Sequence, residues 1–535
     1  MTTDAPRKRS SSGGGGRGVG TSGNATGRRR RPGDAAAEPP PAASPASYPS
    51  PFSARPVHLT LAKDLGRSLM AGSPWVYRDA LAPASVEALT ARQQASLAPA
   101  SPAGVVRPGA LALVKAADGT ILAKGFVDPA SPIAFRALAT RERLDEDFVL
   151  GRLGRCADLR RAILPACPAS PTTGYRLVNG EGDGLPGLHV DVYGDVAVVK
   201  LDGEGAEAFY LGLVARWLSA PDSRAGAGGA AGGGGACRGP VRTVWLKYRR
   251  ARGGGAGGGD DDDDEEDDYD EGEEGGQGRG GAKKKDAPAA AAAAAAASDA
   301  ARGRALFGPP PSSARPVPFF EHGVRFTADV VRGQKTGFFL DQRDNRVRLR
   351  PLCAGGARVL NLFAYSGGFS VHAGAAGAGR VTSVDASAGA CAAAEAHWRA
   401  NGLDPAAHEA VCADVFEFLE GARASATAFD VVICDPPSFA ASAAAAARGG
   451  AAAGAYRRVF AASAQAVRPG GVLALSSCSS HVSRADFDGM VTDALARAKR
   501  KGLCLGGVFG AGLDHPFPLA APALEYLQFA VYLLD

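Results

Sequence analysis

The stretch from Arg358 to Ser387, RVLNLFAYSGGFSVHAGAAGAGRVTSVDAS, constrains this chain's architecture more than any other. Arg358 to Ala364 is a short apolar run of the kind a buried parallel strand gives. It stops at Tyr365-Ser366-Gly367-Gly368. A helix-like segment then runs to about Gly377, and a second apolar run, Arg380 to Val384, ends in Asp385. Strand, glycine-rich turn, helix and acid-terminated strand make the first βαβ unit of a nucleoside-binding, doubly wound α/β sheet. The glycines are expected to let a ligand approach the backbone closely. The helix is expected to offer its N-terminal N–H groups to a carboxylate, and Asp385 to accept hydrogen bonds from a ribose diol. The Gly-Gly spacing departs from G-x-G-x-x-G and points away from a dinucleotide.

Downstream the alternation continues. A helix over about 387–401 is followed by HEAVCAD (408–414), a strand ending in Asp414, then a short helix and FDVVICDPPSF (429–439). After an Ala-rich segment carrying Tyr456-Arg457-Arg458 come the strand GGVLALSSCSS (470–480) and a helix over about 484–500. Two further strands, LCLGGVFG (503–510) and EYLQFAVYLL (525–534), close the chain. Seven strands, the last returning in hairpin fashion, are the layout of a class I S-adenosylmethionine-dependent methyltransferase. In open α/β sheets ligands sit beyond the carboxyl ends of the strands. Gly367, Asp385, Asp414, Asp435 and Cys478 all fall at such ends.

The chain ahead of this domain reads as four segments. Residues 1–55 have no apolar period, carry Arg7-Lys8-Arg9 and the run Arg28 to Arg31, and hold only three acids, Asp4, Asp34 and Glu38. Such a basic, acid-poor leader reads as an organelle transit peptide, for the chloroplast before the mitochondrion. The alternative is a basic tail or nuclear signal on a cytoplasmic or nuclear protein. Residues 56–140 alternate short apolar runs with turns, with Asp118-Gly119 as a hairpin signal, and form a small β-rich module. An Ala-rich loop insertion is expected within it at 91–104. Residues 141–220 open with a charged amphipathic helix (141–162) and continue as YRLVNGEGDGLPGLHVDVYGDVAVVKLDG, an α+β central domain with strands at 187–192 and 196–201. Residues 221–315 are low in complexity and cannot bury a core. They include an acidic block, Lys283 to Lys285 and a poly-Ala run, with one strand-like island, VRTVWLKYRR (241–250).

Charge is segregated along the chain. The net charge is +5, yet residues 260–274 hold 13 acids; outside that block 60 basic side chains face 42 acidic ones, an excess of 18. A basic body suits a polyanionic partner such as RNA. No apolar run is long enough for a transmembrane helix. Nine scattered cysteines show neither a C-x-x-C pair nor metal-ligand spacing and read as reduced thiols, with no metal expected.

Two resemblances sharpen this reading. L-x-x-G-S-P-W-V-Y, P-G-A-L-A-L-V and G-F-V-D-P-x-S-x-I-x-x-R, between 65 and 136, resemble a PUA domain, an RNA-binding β-barrel. That start, followed by NGEGDGLPGLHVD, GQKTGFFLDQRDNR, NLFAYSGGFS, DPPSF and SSCSS in order, resembles the PUA-bearing, bacterial-type large-subunit rRNA cytosine-5 methyltransferase family. The resemblance implies S-adenosylmethionine as cofactor, with Gly367 and Gly368 at its methionine part, Asp385 at the ribose and Asp414 at the adenine amino group. Phe363, Tyr365 and Ser366 of the same loop would line it, and Asp435 would face both it and the target base. The implied partner is large-subunit rRNA or a pre-ribosomal particle, with no membrane; a second copy of the chain is a further candidate partner.

The chemistry follows from residue types as well. Carbon 5 of cytosine is a poor nucleophile, and a thiolate adding at carbon 6 turns it into an enamine that attacks a sulfonium methyl. Cys478, at a strand end, is expected to be that thiolate and Asp435 to support the ring nitrogen. Many RNA cytosine-5 methyltransferases carry a second Cys after D-x-P for product release; here Ser438 stands there, as fits this family. Cys391, Cys412, Cys434 and Cys504 are expected to be small buried residues. His481 and Asp514-His515-Pro516 are candidates for the base pocket. Lys335, Arg343 and Arg346 are expected to grip phosphates, surface ion pairing being the equal alternative. Two rivals remain: a guanine-N methyltransferase of the same fold, and a non-catalytic RNA-binding assembly factor.

Overall fold

The computed structural model describes residues 48, 50–95, 106–164, 167, 169–220, 241–248, 297–439 and 450–535. Nearly all of the leader, the acidic block, Lys283–Lys285 and most of the poly-Ala run lie outside the described residues.

The first module is a five-stranded sheet built from β1 (Val57–Thr60), β2 (Trp75–Tyr77), β3 (Leu111–Lys115), β4 (Ile121–Val127) and β5 (Ile133–Ala139), in the order β1-β3-β4-β5-β2. Asp118-Gly119 turns β3 into β4 as the hairpin signal requires. Gly119 takes φ +89° and Asp118 accepts the N–H of Thr120 at 2.9 Å. Leu59, Val76, Val114 and Phe135 form its core. Helix α1 (Pro83–Ala95) corrects the expected loop at 91–104, whose first five residues extend a helix; Ala, Arg and Gln are good helix formers. The remainder of that insertion lies outside the described residues.

The second module departs from the sequence-based boundaries. Helix α2 (Glu146–Ile163) starts where Asp145 accepts the N–H of Phe148 at 3.0 Å, a side-chain N-cap. The sheet that follows has five strands, not the three that fall before residue 220. They are β6 (Gly174–Asn179), β7 (Leu188–Tyr193), β8 (Val196–Leu201), β9 (Thr243–Lys247) and β10 (Gly303–Phe307), in the order β10-β9-β8-β7-β6. The island at 241–250 thus supplies β9, parallel to β8, and β10 pairs antiparallel with β9. The central domain therefore extends well into the segment read as low complexity. Val244, Trp245 and Leu246 are buried on both faces, which drives the island into the sheet. Helix α3 (Gly203–Ser219) covers one side, its Phe209 stacked on Phe126 of β4.

The third module opens with the hairpin β11 (Val317–Glu321) and β12 (Val324–Ala328). Its two-residue turn, His322-Gly323, has both φ angles positive (44° and 82°), as a twist-matched hairpin requires. Helix α4 (Arg343–Cys353) leads into the main sheet. Its strands are β13 (Arg358–Leu362), β14 (Arg380–Asp385), β15 (His408–Cys412), β16 (Phe429–Cys434), β17 (Val467–Ser477), β18 (Gly502–Phe509) and β19 (Gln528–Leu534). The order is β15-β14-β13-β16-β17-β19-β18, with β19 antiparallel to both neighbours. The inserted helices are α5 (Gly368–Ala375), α6 (Ala388–Ala400), α7 (Val415–Ala424), α8 (Ala451–Ala466) and α9 (Arg484–Ala498). Leu360, Leu362, Val432 and Leu473 face Tyr456, Phe460 and Phe487 on one side; Val359, Val431 and Ala474 face Phe369 and Trp398 on the other. Burial on both faces is why these strands read as unbroken apolar runs.

Buried charge joins the modules. Glu181 accepts from Arg136 (3.0 Å) and from the indole of Trp75 (2.9 Å), tying the first module to the second. Arg160 grips Asp183 with two bonds of 2.6 and 2.7 Å and donates to the carbonyl of Asp514 at 2.7 Å; Asn179 donates to that of Pro516 at 2.7 Å. The N-G-E-G-D-G turn is therefore the seat of the 514–516 segment. A Cβ on Gly182 would fall 1.6 Å from the Pro516 carbonyl oxygen. Gly182→Ala is expected to lift that segment away and lower the melting temperature by several degrees, roughly the effect of 1–3 kcal/mol of overpacking; a thermal melt checks it.

Candidate active site

The register of the parallel strands sets the site. Leu362 lies opposite Val384 and Cys434, Cys434 opposite Leu475, and Asp385 opposite Cys412. The residues just beyond these positions meet along one edge, at the point where the strand order reverses between β13 and β16.

After β13 the backbone enters the left-handed region three times, at Phe363 (φ 55°), Tyr365 (46°) and Gly367 (77°). Such conformations cost a non-glycine residue on the order of 1 kcal/mol or more. Asp385 holds them in place, accepting the N–H of Tyr365 at 2.7 Å and that of Ser387 at 2.9 Å. The residue is 3% exposed. Ser366 buries its hydroxyl without a hydrogen-bond partner among the described residues, a gap that a polar ligand group would fill. The two glycines also have a packing reason of their own. A Cβ at Gly367 would meet Ala394 of α6 at 2.8 Å, and one at Gly368 would meet the side chain of Arg346 at 3.1 Å. Their missing side chains make room for the chain itself. Asp414 lies two residues beyond the end of β15 and caps α7, accepting the N–H groups of Phe416 and Glu417 through one oxygen at 2.8 and 3.1 Å; the residue is exposed. This loop, with its unfilled hydroxyl and the two acids at neighbouring strand ends, suits a nucleoside bearing an amino-acid tail. Asp385→Ala is expected to weaken S-adenosylhomocysteine binding at least about tenfold, by loss of charge-assisted bonds worth roughly 1.5–3 kcal/mol; calorimetric titration is the check.

On the other side of the switch point lie Asp435 and Cys478. The Cys478 thiol is partly buried, 3.8 Å from the carbonyl oxygen of Pro436, so the D-P-P and S-S-C-S-S turns touch. Asp435 accepts the side-chain amide of Gln342 at 2.9 Å, and the same amide nitrogen donates to Ser476 at 3.0 Å. Burial pushes the Asp435 carboxyl up to about 6, with the nearby Asp341 carboxylate adding to the rise. Asp341 behaves oppositely. Burial alone would raise it, but Lys335 (2.9 Å) and His515 hold it well below the usual carboxylate range, with Tyr526 (2.6 Å) adding a hydrogen bond.

Gln342, Asn345, Asp341, Ser476 and Tyr526 are the site residues that sequence reasoning passed over. The signal was present in the G-Q-K-T-G-F-F-L-D-Q-R-D-N-R block, where Gln342 and Asn345 stand one helical turn apart. Arg343 and Arg346 of that block are corrections: neither is available to a phosphate. Arg343 is 0% exposed and makes two bonds to Asp514, of 2.7 and 2.9 Å. Arg346, 3% exposed, makes two to Glu321, of 2.9 and 2.8 Å. Lys335 is bound to Asp341 and lies over the rings of Phe339 and Tyr526, with 22% of its side chain exposed. The Asp514-His515-Pro516 segment, a candidate for the base pocket, sits at the joint between modules, where the Nδ1–H of His515 donates to the Asp514 carboxylate at 2.9 Å. Cys391 and Cys434 are buried as expected. Cys412 and Cys504 are exposed because β15 and β18 are the sheet's two edge strands. Removing one partner of a buried pair leaves an uncompensated charge, so Arg343→Met is expected to cost roughly 3–5 kcal/mol, readable in urea unfolding.

Comparison with known proteins places these features. A family of S-adenosylmethionine-dependent methyltransferases matches residues 311–495, and a family of PUA-like domains matches residues 59–140. A "Ribosomal RNA large subunit methyltransferase" of Deinococcus radiodurans is 33% identical over 456 residues, covering 84% of this chain and 92% of that protein. A "Ribosomal RNA large subunit methyltransferase I" of Photobacterium profundum is 32% identical over 418 residues, 77% of this chain and 88% of that protein. Among solved structures, an S-adenosylmethionine-dependent methyltransferase from Streptococcus mutans covers 89% of this chain and all of its own, with TM-score 0.62 and 19% identity. A methyltransferase solved in complex with S-adenosylhomocysteine has TM-score 0.63 and 18% identity, again over 89% of this chain and all of its own. At that identity these two speak to the fold.

Proposed function

The chain belongs to the S-adenosylmethionine-dependent ribosomal RNA large subunit methyltransferases, and from that premise we propose that it forms 5-methylcytosine in large-subunit rRNA through a thiolate of Cys478. The observation that carries the reading is the contact between the Cys478 and Asp435 turns, a thiol and a raised carboxyl on adjacent strand ends. S-adenosylmethionine supplies the electrophilic methyl group; Asp385, Asp414 and the 363–368 loop would hold it.

The chain's own residues do the rest. The Cys478 thiolate bonds through its sulfur to carbon 6 of the cytosine, and the electron pair of the 5,6 double bond moves into the ring. Asp435, its carboxyl raised to about 6 by burial, donates from its protonated form to ring nitrogen 3 as that atom gains electron density. Carbon 5 is then nucleophilic and takes the methyl. Loss of the carbon-5 proton to a base restores the double bond, expels the thiolate and returns the nitrogen proton to Asp435. Burial of the carboxyl is what makes it neutral enough to donate. Of the three cations expected to meet phosphate, Lys335 has the most exposed side chain, and it is the one assigned that role in this reading. The basic first 55 residues support delivery to an organelle, the chloroplast first, which imaging of a fluorescent fusion would test.

The test is methylation of unmodified large-subunit rRNA by the full chain, with bisulfite mapping and mass spectrometry of the nucleosides. A single new 5-methylcytosine is expected. Methyl groups on guanine nitrogen would overturn the thiolate reading. Absence of both transfer and cofactor binding would favour a non-catalytic assembly factor.

A further inference from the structure

The amide chain behind Asp435 has a polarity that can be fixed atom by atom. Asn345 is 0% exposed, and its side-chain oxygen accepts from Arg348 (2.9 Å), a group that only donates. Its nitrogen donates to the Gly510 carbonyl (3.2 Å), a group that only accepts, and to the side-chain oxygen of Gln342 (2.8 Å). Two unambiguous partners therefore set the orientation of Asn345, and Asn345 sets that of Gln342. The Gln342 oxygen is committed to Asn345, so its nitrogen is what faces Asp435 Oδ1 and Ser476, one N–H for each. Every donor and acceptor of the two amides lies on this path, and Gln342 is 3% exposed.

We propose that Gln342, oriented by Asn345, is a positioning residue that selects cytosine over uracil. An N–H directed at Oδ1 makes that oxygen an acceptor, so when Asp435 is protonated its proton sits on Oδ2. A carboxyl of that polarity presents a donor to ring nitrogen 3 of a pyrimidine. Cytosine has a bare lone pair there; uracil has an N–H, and two donors would face each other. Without a fixed polarity a carboxylic acid pairs with either base by moving its proton to the other oxygen. The raised Asp435 carboxyl supports the neutral form this requires. The inference rests on the cytosine reading above, and its step is a choice of hydrogen-bond polarity, with no bond made or broken.

Three proteins test it: the full wild-type chain, Gln342→Glu, and Asn345→Asp. The last leaves Gln342 in place but puts an oxygen against its carbonyl, so the Gln342 amide turns over. Each is assayed on an rRNA fragment centred on the mapped cytosine and on its uridine twin, scoring 5-methylcytidine and 5-methyluridine by mass spectrometry. S-adenosylhomocysteine titration reports folding, and a variant that fails to bind it is set aside in favour of the other. The cytosine-to-uracil ratio of kcat/KM is expected to fall roughly 10- to 100-fold in a folded variant, the range a good base-edge pairing commands, with cofactor affinity unchanged. A wild-type enzyme that makes 5-methylcytidine while the ratio stays constant in the variants overturns the selection role alone; activity lost equally on both bases is that outcome too. A wild-type enzyme that makes no 5-methylcytidine overturns the cytosine reading and this inference with it.

Discussion

Cys478→Ala is expected to reduce methyl transfer by on the order of 10⁴-fold or more, the scale on which a covalent nucleophile is missed, while S-adenosylhomocysteine affinity stays within about twofold. The asymmetry follows from the two halves of the site. The proposed cofactor side is built on β13, β14 and β15, through the 363–368 loop, Asp385 and Asp414. The thiol lies on the opposite side of the switch point, after β17. Ser476, Ser477, Ser479 and Ser480 flank it, but a hydroxyl is a far weaker nucleophile than a thiolate at neutral pH, so Cys478→Ser should be nearly as inactive. RNA carrying 5-fluorocytosine gives a direct readout. Fluorine cannot leave as the carbon-5 proton does, so the wild-type enzyme should stay covalently attached on a denaturing gel and the Ala variant should not. Full activity in Cys478→Ala would end the thiolate mechanism.

Asp435→Asn is expected to make the protein more stable and nearly inactive. The Asp435 carboxyl sits at about 6 in the fold, above the ordinary 3.8. A raised acid binds more protons in the native than in the unfolded state, so stability falls as pH rises from about 3.8 to about 6 and stays at the lower level above it. At pH 8 the full penalty is present, an upper figure of roughly 3 kcal/mol from a shift of this size. Asparagine carries no such penalty. In urea titrations the variant should therefore gain up to that amount at pH 8, and the gain should shrink by about half at pH 5. Its side chain can still accept from Gln342 and offer an N–H to the base, so RNA affinity should hold. It cannot transfer a proton, so kcat should fall roughly 10²- to 10⁴-fold. Equal stability of the two proteins across that pH range would show that the carboxyl carries no burial penalty.

How much of this was legible in the sequence depended on where each residue's partners lie. The strands β13, β14, β16 and β17 were readable because both faces are buried, which writes an unbroken apolar run into the chain; the residue after each run then marks the ligand edge. Strand β9 was only half readable. TVWL is a plain strand signal, but its neighbours are Gly/Ala-rich and nothing local says that it pairs with β8. Arg343 and Arg346 misled because a local reading sees only a basic helix. Their carboxylates are Asp514, 171 positions ahead, and Glu321, 25 behind. Gln342 was silent for the same reason, since Asp435 is 93 residues away. Spacing reveals a group's chemistry when the element itself positions it; a buried pairing between distant elements appears only once the fold has brought them together.

Lys247 and Gly303 face each other across the β9–β10 ladder. The two ends of the connection between them therefore meet at one point on the sheet's edge. For the protein engineer this is a natural splice point. Changing the length of a connection with adjoining ends alters stability only through ring-closure entropy, about 0.6 kcal/mol for each doubling. Positions 249–296 can therefore change in composition and length, or carry a grafted domain, while the β9–β10 pairing and the buried Asp299, which accepts from Ser313 and Arg332, are preserved.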